Sequence, residues 1–143
     1  MNTLPESTHR LFDEPKDVTL ITIDPDGSPH AAMVWVGRDG DDLLIGVEEK
    51  HRKTRNLRRD PRVTLVLEDD RTSPRGLTQY LVLRGTAKLE RDPQRYKELM
   101  DRLSKKYLGR DEFPFWSEQV SAGATVVRVA ADRVTGEGPW AVR

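Results

Sequence analysis

Apolar and polar residues alternate over most of this chain, and the alternation marks strands. Residues 17–24 (DVTLITID) place Val18, Leu20, Ile21 and Ile23 on both faces and predict a central strand. The following Pro25-Asp26-Gly27-Ser28-Pro29 combines a preset φ with a glycine, which is turn chemistry. Residues 30–37 form the second predicted strand, with Ala31, Met33 and Trp35 on one face and Ala32, Val34 and Val36 on the other. Residues 38–42 read as a turn and 43–48 as a third strand, so an antiparallel meander is expected. Residues 63–68 resume the sheet, and 69–76 read as a polar loop. The clearest strand is 79–91, with Leu81, Leu83, Ala87 and Leu89 on one face and Arg84, Thr86, Lys88 and Glu90 on the other. The last predicted strand is 124–131, followed by an irregular tail through Trp140.

Two segments depart from this rhythm. Residues 51–60 are rich in Arg, Lys and Leu and stop at Pro61, which predicts a short helix. Asp92 is a good N-cap before Pro93, and Tyr96, Leu99, Met100, Leu103 and Tyr107 then recur at helical spacing until Gly109. An aromatic connector, Phe113-Pro114-Phe115-Trp116, reads as packing beneath the chain or as a lid. No regular element is predicted before residue 17. Six strands with two inserted helices argue for one domain over 1–143, mainly β, a small barrel with peripheral helices.

Composition sharpens this picture. Hydrophobic content is 36% and charged content 34%, so the core is small. A chain of this size gains from burying one face against a copy of itself, which supports a homo-oligomer. Absence of cysteine excludes disulfides, thiolate metal sites and a cysteine nucleophile, and suggests a reducing compartment. No apolar run reaches the ~18 residues of a membrane span, and the N-terminus lacks an apolar leader core, so a cytoplasmic protein is expected.

Twenty-four basic residues balance twenty-four acidic ones, which speaks against a long polyanion held over the surface. The balance conceals segregation. Residues 52–59 hold five basic side chains and no acid. The segment follows a strand and opens a helix, so free backbone N–H groups, helix dipole and cations converge as in phosphate sites. Arginine offers a planar fork, lysine a point charge, threonine and asparagine neutral donors. The competing reading is a solvated basic helix paired with acids such as Glu68, Asp69 and Asp70. An RNA-binding reading lacks an aromatic stacking platform on neighbouring strands. His9, His30 and His51 have no ligand-like spacing, so no metal is expected, and no Ser/His/Asp set with elbow glycines is present.

The run Lys53-Thr54-Arg55-Asn56-Leu57-Arg58-Arg59-Asp60-Pro61-Arg62-Val63 resembles the phosphate-binding segment of the pyridoxamine-phosphate-oxidase-like split-barrel flavoproteins. It looks most similar to the actinobacterial branch that uses the deazaflavin coenzyme F420. The Asp-Gly turn, the 29–35 strand, Leu83-Arg84-Gly85-Thr86-Ala87, the helix after it and the terminal Gly-x-Gly-Pro-Trp agree. The resemblance implies a six-stranded antiparallel split barrel, a homodimer with cofactors at its interface, and an F420-dependent oxidoreductase. Lys53, Arg55 and Asn56, helped by Thr54, are then expected to hold the cofactor phosphate. Met33, Val34 and Trp35 are expected along the ring, with Trp140 and Arg133 near it from the partner. His51 stands where relatives often carry a basic residue, and Tyr80 is one candidate proton source. FMN in place of F420, or a non-catalytic flavin-binding protein, are the alternatives.

Overall fold

The computed structural model describes residues 3–141. Ahead of the first strand, a helical turn at Glu6–Thr8 runs into α1 (His9–Asp13), where the sequence predicts no element. So short a helix has no stability by itself. It forms because Leu4, Leu11 and Phe12 join the core, and because Arg10 clasps the buried Asp69 carboxylate with both guanidinium prongs.

The strands are β1 (Val18–Ile23), β2 (Pro29–Val34), β3 (Gly37–Asp39), β4 (Asp42–Glu48), β5 (Arg62–Thr72), β6 (Thr78–Arg91) and β7 (Ala124–Glu137). All pair antiparallel in one sheet of order β2-β1-β5-β6-β7-β4-β3. Among the described residues there are seven strands rather than six. The additional one, β3, lies in the expected turn, which tightens to a loop at Gly40 and Asp41 with Gly40 at φ +61°.

The expected meander is also corrected. β2 pairs with β1, but β4 pairs with β7, from Asp42 opposite Ala130 to Glu48 opposite Ala124. Alternation reveals which face a residue takes and says nothing of which strand lies alongside. β2 and β3 end the sheet on opposite sides, yet only Trp35 and Val36 separate them. Three Cα steps reach at most about 11 Å. The sheet therefore curls until its two edges nearly meet without pairing, which is a split barrel.

Inside the curl, Val18, Leu20, Leu43, Ile45, Val63, Leu65, Leu81, Leu83, Val127 and Val129 form the core. β4 is buried on both faces, because α3 (Pro93–Leu108) lays Tyr96, Leu99, Met100 and Leu103 against Leu44 on its outer side. The sequence-predicted caps of α3 are present: Asp92 accepts from the Arg95 amide at 3.1 Å, and Gly109 takes φ +71°. α2 (Arg52–Arg59) follows β4 as predicted, and a short α4 (Glu118–Gly123), not predicted, is capped by Ser117. β7 continues to Glu137, through part of the expected irregular tail.

Candidate functional site

α2 is fastened to the barrel by its inward residues. The buried Thr54 hydroxyl donates to the Glu48 carbonyl at 2.7 Å. The buried Asn56 amide donates to the Asp24 carboxylate at 2.9 Å and to the Thr22 hydroxyl at 3.1 Å. Arg52 adds a second clamp on Asp24, and the pair of donors draws that carboxyl down to about 2. Thr54, Asn56 and Leu57 are the buried side chains of α2 against the barrel, while Arg55 is exposed and Lys53 half-buried.

The five cations of this segment consequently divide. Arg52 pairs with Asp24 and Arg58 with Glu49. Arg59 donates to the Ile23 carbonyl and to Asn56. Lys53 and Arg55 have no carboxylate partner within ion-pair distance among the described residues. Of the acids expected as structural partners, Asp69 instead holds Arg10 and Lys16, and Asp70 pairs with Lys16.

Half-buried Lys53 lies 3.4 Å from His51 Nδ1, which also accepts the Glu48 amide at 3.2 Å. The other imidazole nitrogen lies 3.5 Å from the Glu48 carboxylate. Burial lowers the pKa of both groups, and the Lys53 charge lowers that of His51 further. The first amides of α2, at Arg52 and Lys53, have no preceding turn to bond to. An ammonium short of hydration, a guanidinium fork and free amides are the chemistry of a phosphate seat.

A second feature lies where the barrel is split. A cleft of about 320 Å³ is lined by Asp17, Met33, Val34, Trp35, Gly46, Met100, Phe113 and Phe115. Gly46 opens its floor: a Cβ there would stand 2.5 Å from Met100 Sδ and 3.0 Å from Tyr96 Cε2. Trp35 stacks on Tyr107 and meets Phe113 edge-on, and Phe113 meets Phe115 edge-on. Asp101 fixes the connector by accepting the Phe113 amide at 2.8 Å. From Gly46 to Glu48 is two residues, about 7 Å along β4, so one strand joins the cleft to the base of α2.

Met33, Val34 and Trp35 thus share one cleft, and His51, Lys53 and Arg55 gather at one end of α2, with Thr54 and Asn56 beneath them. Trp140 lies apart, in the core, its indole N–H donating to the Tyr80 carbonyl at 3.0 Å. Arg133 is exposed on β7 opposite Arg84, and Tyr80 is exposed on β6. Sequence reasoning missed Asp17, Gly46 and Met100 as lining residues. Only Gly46 carried a signal, since a glycine inside a strand often marks close approach.

A family model described as pyridoxamine 5'-phosphate oxidase matches residues 4–137. Among solved structures, an F420 reductase superposes with a TM-score of 0.73 at 24% identity, covering 92% of this chain and 98% of its own. A conserved hypothetical protein of Mycobacterium tuberculosis gives 0.70 at 24% identity, covering 94% of this chain and 84% of its own. A Listeria innocua protein named for pyridoxamine 5'-phosphate oxidase gives 0.69 at 19% identity, covering 92% and 95%. At these identities the superpositions show the fold. No helix among the described residues is long and apolar enough to cross a membrane.

Proposed function

Because the chain belongs to the pyridoxamine 5'-phosphate oxidase family, we propose that it is an oxidoreductase that binds coenzyme F420. In this reading the bound deazaflavin supplies a hydride to an electron-poor small organic substrate, and solvent supplies the accompanying proton. One observation carries the reading: Lys53 and Arg55, unlike Arg52 and Arg58, stand without carboxylate partners among the described residues at the opening of α2, one short stretch of β4 from an aromatic cleft. A phosphate oxygen beside Lys53 would restore the favourable surroundings that burial removes from its ammonium. Arg55, whose guanidinium already bonds the Lys50 carbonyl at 2.7 Å, keeps donors for a second oxygen.

Thr54 and Asn56 act by holding α2 in place, and His51 by orienting Lys53. Met33, Val34 and Trp35 line the ring, and Phe113 and Phe115 exclude water from it. Trp140, held in the core, is left out of the cofactor set. We further propose a cytoplasmic homodimer. Exposed Ala31 and Met33 and half-buried Ile21 and Val66 share the outer face of the sheet through their pairings, and an apolar face of that kind gains from being covered.

FMN is the second reading, favoured by the family's own description and by the suitability of a terminal phosphate for the same two cations. Likeness in fold to an F420 reductase supports the first. Titrating the purified protein with each cofactor, followed by tryptophan quenching, separates them. Tighter F420 binding, with oxidation of its bound reduced form by quinones, is expected. Tighter FMN binding would replace F420 in the reading, and binding without turnover would make the protein a carrier. Light scattering reports the dimer.

A further inference from the structure

The aromatic cleft contains a single ionisable lining residue among those described, Asp17. Its carboxylate makes no hydrogen bond or ion pair among the described residues, although its neighbour Lys16 turns away to Glu14, Asp69 and Asp70. Asp17 is exposed at the mouth. Asp17 and Met33 also border a neighbouring groove lined by Lys16, Glu68, Asp69 and Asp70, where Arg10 and Lys16 offset Asp69 and Asp70. The carboxylate of Asp17 therefore supplies the negative charge at the β1 start of the cleft, while the unpaired cations lie beyond its β4 end.

The walls have their own preference. Trp35, Phe113 and Phe115 offer ring faces and edges, and Met33 and Met100 offer polarizable thioethers. Flat apolar rings pack well against such a surface, and aromatic faces attract cations.

The geometry points to a charge-selective substrate site: beside the cofactor ring on Met33, Val34 and Trp35, the Asp17 end of this cleft takes a planar aromatic molecule that is neutral or cationic, and Asp17 discriminates against anionic ones. The inference rests on the reading of the cleft as the seat of the reacting ring. It also assigns the two ends of the molecule opposite tasks, the α2 end for an anionic cofactor tail and the Asp17 end for a cationic or hydrogen-donating substrate edge.

Three inert probes of similar size test it by calorimetry: 2-naphthyltrimethylammonium, 2-methoxynaphthalene and naphthalene-2-sulfonate. At low salt the cation is expected to bind about tenfold more tightly than the anion, with the neutral probe between them, and the spread should narrow at high salt. Asp17→Asn, a change at an exposed side chain, should bring the three within about threefold. Phe115→Ala should weaken all three alike, separating ring packing from charge. Absence of binding, an anion bound as tightly as the cation, or an order unchanged in Asp17→Asn would overturn the proposal. Lys53→Ala/Arg55→Ala should keep the probe order while losing cofactor. A wild-type protein that shows the probe order but binds neither F420 nor FMN would sink the cofactor reading and leave this one standing.

Discussion

The indole of Trp35 lies nearly parallel to the phenol ring of Tyr107, with centroids 5.3 Å apart and planes 6° from each other. The same phenol oxygen donates to the Lys16 carbonyl at 2.9 Å and accepts the Val36 amide at 3.3 Å. One residue of α3 thereby holds a wall of the cleft and the backbone on both sides of the split. Tyr107→Phe, which keeps the stack and loses both hydrogen bonds, should lower the unfolding free energy by about 1–2 kcal/mol. Tyr107→Leu should cost about 1 kcal/mol more as the stack goes, and should also shift tryptophan emission. Denaturant melts with fluorescence readout check both.

The unpaired cations of α2 and its buried amide should separate under mutation. Lys53→Ala and Arg55→Ala should each weaken cofactor affinity about tenfold, the loss of one charge-assisted hydrogen bond, with little change in stability. Asn56→Ala should instead lower stability by about 1–3 kcal/mol, since buried Asp24 and Thr22 lose a donor. Affinity unchanged in both cation variants would remove the phosphate assignment.

Acid should release α2. The folded Asp24 carboxyl sits at about 2, below its ordinary 3.8, chiefly through Arg52 and then Asn56. A depressed folded value means the contribution is fully present above the unfolded value and is lost as pH falls from about 4 to about 2. Stability of Asp24→Asn should therefore fall less steeply across that window, as chemical denaturation at stepped pH would reveal.

Gly46→Ala should both destabilise the protein and narrow the cleft. The new methyl group meets Met100 Sδ at 2.5 Å and the Tyr96 ring at 3.0 Å. Overpacking of this kind costs about 1–3 kcal/mol. Met100→Ala in the same chain should recover part of the loss, because the thioether is the nearer obstacle. Thermal unfolding of the single and double variants decides it.

Trp140→Phe should reduce stability by about 1–3 kcal/mol, because the Tyr80 carbonyl loses its indole donor. Cofactor affinity should stay within about twofold, in keeping with a residue buried in the barrel. A large affinity loss at unchanged stability would return Trp140 to the binding set.

Legibility followed the range of the interaction. The β1, β6 and α3 periodicities, the Asp92 cap and the Pro61 stop are local, so each was readable where it stands. So was the density of cations in α2. Which of those cations stay unpaired was not readable, because Asp24 and Glu49, which take Arg52 and Arg58, approach from the turns after β1 and β4. The N-terminal helix escaped notice for the same reason, its stability coming from Asp69 and the core rather than from its own few residues.

From the sequence alone come the strand faces, the helix ends, the thin core and a basic segment with the residue types of a phosphate seat, all set by chain stereochemistry and by spacing of 2 or 3.6 residues. Tertiary structure alone decided that β4 lies beside β7, that Trp35 sits at a split between two sheet edges, and that Thr54 and Asn56 are buried against the barrel while Lys53 and Arg55 are left without carboxylate partners among the described residues. Those outcomes depend on which distant surfaces bury each other, and burial between distant segments leaves no period in a sequence.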